Sequence, residues 1–222
     1  MLAKEVGSRN HTIPILEVER LKGGVVLVMP LAVPLSQVDP GRLTSELVRQ
    51  LIEGVQFMHE KGVAHLDLKP SNLVLVGGRL HIIDFGLAQL CLPNQVLRGF
   101  RGTPGWVAPE VVREEDFDPV SADLWATGRI IEDFLDRMKK FDCSGRSSGS
   151  SRSSKLDEEI RWIRSMVSDL MHEDPKRRCL FFTETGGLEG HSTQKRRCSL
   201  LMETLAVEEA RHTKKHRFSL QV

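Results

Sequence analysis

The stretch from His65 to Gly86 constrains the chain more than any other. It runs His65-Leu66-Asp67-Leu68-Lys69-Pro70-Ser71-Asn72, then the apolar run Leu73-Val74-Leu75-Val76. A turn at Gly77-Gly78-Arg79 leads to a second run, Leu80-His81-Ile82-Ile83, and to Asp84-Phe85-Gly86. Two runs rich in Leu, Val and Ile around Gly-Gly spell a tight antiparallel hairpin. A hairpin holds its ends together, so Asn72, before the first strand, comes close to Asp84, after the second. An amide oxygen beside a carboxylate offers ligands suited to Mg²⁺. Asp67, five residues before Asn72, can face the same spot. A chance Asp-Lys-Asn loop next to a buried Asp explains either half alone, but poorly explains both halves in order around one hairpin.

These residues resemble the catalytic loop H-R-D-L-x-x-x-N and the metal loop D-F-G of the protein kinases. The resemblance implies Asp67 as catalytic base, Asn72 and Asp84 as holders of Mg²⁺, and Lys69 at the γ-phosphate of ATP, a placement typical of Ser/Thr-directed kinases. It also places Val74 under the adenine. Ile83, assigned to the nucleotide site, packs with Phe85 behind the metal loop, while His65 and Gly86 take structural roles. Phosphoryl transfer asks the protein for positioning, charge neutralisation and one carboxylate on the attacking hydroxyl, and these residue types supply all three.

Other stretches extend the resemblance over about Ile13 to Arg178. Gly102-Thr103-Pro104-Gly105-Trp106-Val107-Ala108-Pro109-Glu110 is similar to G-T-x-x-[YW]-x-A-P-E, which closes the activation segment; Thr103 then hydrogen-bonds beside Asp67 and Lys69. Glu110 is expected to be buried and so needs a cation. The D-P-x-x-R pattern in Asp174-Pro175-Lys176-Arg177-Arg178 supplies it at Arg178. Asp123-Leu124-Trp125-Ala126-Thr127-Gly128 resembles D-x-W-x-x-G, where Asp123 accepts backbone N–H groups of the catalytic loop. Met29 falls at the gatekeeper position, with Leu31 and Ala32 in the hinge that meets the adenine edge through backbone groups.

The remaining elements follow from periodicity and turn chemistry. His11–Leu16 and Val25–Met29 read as strands about a turn at Lys22-Gly23-Gly24, with Pro14 demoting the first to an edge. Asp39-Pro40 reads as the start of a helix carrying Leu43, Leu47, Leu51, Val55 and Met58, ended by Gly62. Ser121 reads as the cap of the next helix, and Leu156–Met171 as a further amphipathic one. Residues 143–154 are rich in Ser, Gly and Arg and are expected to be a disordered loop. The expected fold is α+β and kinase-like. Residues 1–34 hold a remnant of the N-lobe strands and the hinge. Residues 35–178 form a mainly helical C-lobe with its short hairpin. Residues 179–222 comprise an insertion, a last helix near Leu200–Arg211 and a basic tail at Lys214-Lys215-His216-Arg217.

Three departures bear on activity. A G-x-G-x-x-G-x-V loop and a V-A-I-K strand are missing. Leu66 stands where the family has Arg, the residue that receives an activation-segment phosphate. Between Gly86 and Gly102 the chain has no Ser, Thr or Tyr, so loop phosphorylation is not expected to be the switch. The resemblance implies transfer of the ATP γ-phosphoryl to a protein Ser or Thr, weak or absent in this chain alone. The competing reading is a pseudokinase or C-lobe fragment that docks proteins. Expected partners are a protein substrate and a regulatory protein or donor of the missing N-lobe.

Net charge is +1 over 222 residues, which gives no drive toward nucleic acid or membrane. Four cysteines are scattered without a C-x-x-C pair, which fits free thiols in a reducing compartment, cytoplasmic or nuclear.

Overall fold

The computed structural model describes residues 9–92, 94–143 and 154–179. All belong to the first of two units into which the chain divides, Met1–Leu180; the second, Phe181–Val222, contains none of them. The expected loop between 143 and 154, the insertion, the last helix and the basic tail therefore lie outside the described residues.

The N-terminal hairpin pairs β1 (Glu17–Leu21) with β2 (Gly24–Val28) in antiparallel register, Glu17 opposite Val28 and Leu21 opposite Gly24. This corrects the expected first strand at His11–Leu16. Residues 11–13 instead join the edge of a different sheet: Ile13 N–H donates to Ile82 O at 3.0 Å and Ile82 N–H to His11 O at 2.7 Å. Pro14 has no N–H to continue that ladder, so the chain leaves it there and pairs again further on. Both strands of the hairpin are exposed along their whole length. Val18, Leu21, Val25, Val26, Leu27 and Val28 all face outward.

Helix α1 (Ser45–Glu60) buries Leu47, Val48, Leu51, Ile52, Val55 and Met58 on one face. It starts later than Asp39-Pro40. Asp39 does open a turn, with Arg42 N–H donating to Asp39 O at 2.9 Å, but Pro40–Arg42 closes as a 3₁₀ turn. Gly41, a poor helix former, does not carry it on. Thr44 is extended and the α-helix begins after it.

The central hairpin forms as read: β5 (Leu73–Val76) pairs with β6 (Arg79–Ile82). Gly77 and Gly78 have φ of 58° and 86°, the pair of positive angles that a two-residue hairpin turn requires. A two-residue strand, β3 (Val33–Pro34), adds to β5 with Pro34 opposite Val74. The segment after Met29 is thereby laid against the hairpin. β4 (Val63–Ala64) pairs with β7 (Gln89–Leu90), tying the chain after α1 to the chain after the metal loop.

After the short α2 (Pro109–Val112) comes the central helix α3 (Pro119–Cys143). Its N-terminal cap is Asp118 rather than Ser121: the Ser121 N–H donates to Asp118 Oδ2 at 2.6 Å, and Ser121 lies inside the helix. An ionised acceptor suits these first N–H groups better than a hydroxyl does. Ile130, Ile131 and Phe134 of α3 are buried in the core. α4 (Ser154–Leu170) turns Ile163, Met166 and Leu170 inward and packs on α3. Gly128 makes the approach possible, because a Cβ there would stand 2.6 Å from Met171 Cγ. Among the described residues no helix is long and apolar enough to cross a membrane.

Candidate active site

The site is hung from α3. Asp123, 1% exposed, accepts the His65 N–H on Oδ2 at 2.6 Å and the Leu66 N–H on Oδ1 at 2.8 Å. His59, on the last turn of α1, reaches the same Oδ2 at 3.1 Å. The His65 ring is buried, its Nε2–H donating to Ile83 O at 3.0 Å, with its centroid 4.9 Å from that of Phe85. One imidazole thus locks the catalytic loop to the metal loop.

Leu66 has φ 64°, a left-handed conformation costly for a branched-chain residue. Two things hold it there. Its N–H is bound by Asp123, and its side chain belongs to an apolar cluster with Ala64, Ala108, Val111, Phe117 and Ala122. Gly102 passes so close that a Cβ would stand 2.7 Å from Leu66 O, and at φ 108° it is suited to glycine alone. Residues 97 and 117 close the segment with reciprocal backbone hydrogen bonds of 2.9 and 2.8 Å.

Around Asp67 the expected groups come together. Lys69 Nζ donates to Asp67 Oδ2 and to Thr103 Oγ1, each at 2.7 Å, and Thr103 Oγ1 donates to Asp67 Oδ1 at 2.7 Å. Asn72 Nδ2 donates to Asp67 O at 2.9 Å and to Asp67 Oδ2 at 3.2 Å. Partial burial pushes the Asp67 carboxyl up. The hydrogen bonds from Lys69 and Thr103, with the Lys69 charge and Asn72, outweigh this and hold it below the usual Asp value. Asp67 is therefore a carboxylate at neutral pH. A carboxylate has about four lone-pair sites, and three are taken, which leaves room for one incoming hydroxyl.

The base of the hairpin links the two metal candidates: Ile83 N–H donates to Asn72 O at 3.0 Å, and Asp84 follows directly. Asp84 sits at φ 63°, exposed, with Oδ1 accepting the Gly86 N–H at 3.3 Å. Asn72 spends its amide nitrogen on Asp67, so its carbonyl oxygen is the atom left over. An amide oxygen and an exposed carboxylate form a hard-oxygen donor set that fits Mg²⁺. Val74 is buried opposite Pro34 and Ile83 is half-buried. Met29 is 44% and Leu31 98% exposed, and Ala32 is half-buried. These three, the expected hinge, lie just before β3, which pairs with β5 of the hairpin.

Glu110 and Arg178 meet as a buried bidentate pair, Nη1 to Oε1 at 2.5 Å and Nη2 to Oε2 at 2.8 Å. Arg178 also donates to His172 O and Ser121 O, and its guanidinium lies 5.0 Å from the Trp125 ring centre. The sequence reading left out His59, the Trp125 contact and the buried pair His11 and His81. His59 lies one turn before Gly62 on the face of α1 that leads into the loop, and its spacing gave no hint of Asp123.

A buried helix that holds the His65–Asn72 loop, with His65 tying that loop to the turn at Asp84, has the arrangement of the protein kinase class. Residues 37–184 match the family described as Protein kinase domain, and the chain belongs to it. The chain is 37% identical over 158 residues to CBL-interacting protein kinase 16 of Oryza sativa subsp. japonica, covering 64% of this chain and 34% of that protein. It is 33% identical over 189 residues to CBL-interacting protein kinase 4 of the same organism, covering 76% and 41%. With serine/threonine-protein kinase 17A of Oryctolagus cuniculus it shares 43% identity over 101 residues, 43% of this chain and 25% of that protein. The chain thus spans well under half the length of these curated relatives. Family membership implies ATP with a divalent metal, and protein substrates.

Proposed function

We propose that the chain is the catalytic lobe of a protein serine/threonine kinase, transferring the γ-phosphoryl of ATP to a protein Ser or Thr. The observation that carries this reading is the closed set of bonds among Asp67, Lys69 and Thr103 with Asn72 beside it. Asp67, ionised and held on three sides, orients the acceptor hydroxyl and takes up its proton. Lys69 sets a positive charge next to that hydroxyl, and Thr103 fixes the Lys69 and Asp67 side chains relative to each other. Asn72 and Asp84 are the residues that would hold Mg²⁺, and bound MgATP would supply the phosphoryl group and the metal's charge. Val74, Ile83 and the hinge at Met29, Leu31 and Ala32 would border the adenine. The exposed apolar hairpin β1–β2 takes further N-lobe strands, or a regulatory protein offering them, as its partner. A cytoplasmic or nuclear setting is proposed with it, since Cys91 is a free thiol; microscopy of a tagged chain checks it.

The experiment is phosphate transfer to Ser peptides, with MgATP affinity measured by calorimetry. Nucleotide binding by this chain should be weaker than about 1 µM, near −8 kcal/mol, because nothing among the described residues covers the expected phosphate site and excludes water. Asp67→Asn should lower transfer at least about hundredfold. Transfer that survives Asp67→Asn would remove this reading. A second reading, a lobe that docks proteins without catalysis, is favoured by the exposed hairpin, and is the one left if neither MgATP binding nor transfer is found.

A further inference from the structure

The arginines on or packed against the activation segment divide unequally. Arg178 pairs with Glu110, Arg113 with Glu115, Arg129 with Glu132, and Arg98 with Asp116. Arg101 has no ion-pair or hydrogen-bond partner among the described residues. Yet Arg101 is half-buried and lines a small cavity with Leu66, Asp67, Thr103 and Trp106. From Gly86 to Gly102 there is no Asp or Glu to neutralise it. Both carboxylates lining that cavity are already engaged, Asp67 by Lys69, Thr103 and Asn72, and Asp123 by His59 and the His65 and Leu66 amides.

A guanidinium partly withdrawn from water, with five donors in a fixed fork and no anion beside it among the described residues, is a receptor for a carboxylate or a phosphate. Its place sets the reach. Arg101 is two residues before Thr103, whose hydroxyl touches Asp67. An extended chain advances about 3.3 Å per residue, so an anion meeting Arg101 belongs within about three residues of the acceptor at Asp67.

We propose that Arg101 is a specificity-determining residue that selects protein substrates carrying an anionic side chain, carboxylate or phosphate, close to the acceptor Ser or Thr. The proposal rests on the kinase reading of Asp67, and its test separates the two. Fluorescent Ser peptides differing at the flanking positions by Asp, phosphothreonine, Asn or Lys are titrated against the full chain by anisotropy. The anionic peptides should bind about tenfold more tightly than the Asn peptide, and the Lys peptide more weakly. The gap should narrow as salt rises. Arg101→Ala should erase the preference, Arg101→Lys restore part of it, and Arg101→Glu turn it toward the Lys peptide. Melting temperatures of the variants confirm that each is folded. Comparison of the Asp and phosphothreonine peptides tells which anion is preferred. A preference that persists in Arg101→Ala, or none in the parent, overturns the proposal. Transfer without an Arg101-dependent preference overturns it alone; an Arg101-dependent preference without any transfer overturns the kinase reading and leaves the anion site standing.

Discussion

Arg178 spends its guanidinium three ways: two N–H donors on Glu110, others on the carbonyls of His172 and Ser121, and its face near Trp125. Glu110 is 2% and Arg178 5% exposed. Removing either partner strands a charge where water cannot reach it. Glu110→Ala and Arg178→Ala should each cost about 3–5 kcal/mol, and the double variant clearly less than their sum. Denaturant unfolding of the cycle measures the coupling, and additive losses would refute the contact. Arg178→Lys should not rescue, because an ammonium cannot span both carboxylate oxygens. The pair was legible in the sequence because each half sits in a motif of fixed spacing. The Trp125 contact was not, since aromatic stacking leaves no periodic trace and depends on how α3 is turned.

The activation segment is the element in which chemistry and packing are hardest to separate. Leu66 places an apolar side chain among Ala108, Val111 and Phe117 where an arginine would need an anion. The segment is anchored by burial together with the Leu97–Phe117 bridge. Leu66→Ala should cost about 2–5 kcal/mol and speed hydrogen exchange at the amides of Leu97 and Phe117. The β5–β6 amides should be unaffected if the loosening is local. Unchanged exchange at both residues would show that Leu66 does not hold the segment. It follows that transfer, once measured, should not need a phosphate on this segment. Elements with strong local signals, the Gly77-Gly78 hairpin and helix α1, were legible in kind. Their margins were not. Pro14 diverted the first strand, and the 3₁₀ turn at Pro40–Arg42 delayed the helix, because local turn chemistry competes with periodicity at element ends.

At the scale of the whole molecule, the join between residues 11–13 and the lobe carries a pH dependence. His11 is fully buried, with Nδ1–H donating to Leu80 O at 2.8 Å and Nε2 lying 3.4 Å from both Glu53 and Arg79. His81, also buried, faces Thr12 O at 3.3 Å. Burial lowers both, and Arg79 adds to it. Leu80 O and Glu53 pull His11 the other way, as Thr12 O does His81, without reversing the shift. The folded values thus lie below the ordinary 6.5, so the unfolded chain takes up these protons first as pH falls. The stability they contribute is full above 6.5 and is lost as pH drops through the lowered folded values. Melting temperature should fall between about pH 7 and pH 5, with a shallower slope in a His11→Gln/His81→Gln variant. An unchanged slope would place the acid sensitivity elsewhere. No periodicity marks these histidines, whose burial depends on a chain crossing about seventy residues away in sequence, where the Ile82 N–H donates to His11 O.

Asp123 binds two catalytic-loop amides from the buried helix at the centre of the lobe. Natural selection acting on such a lobe cannot easily tell foldedness from turnover. Asn72, bonded to the Asp67 backbone, and Asp123 would be retained in a descendant that had stopped transferring phosphate, simply because their loss would unravel the loop. An intact catalytic motif in a kinase lobe is therefore testimony to a maintained scaffold first, and to a working catalyst only when the nucleotide is seen to bind.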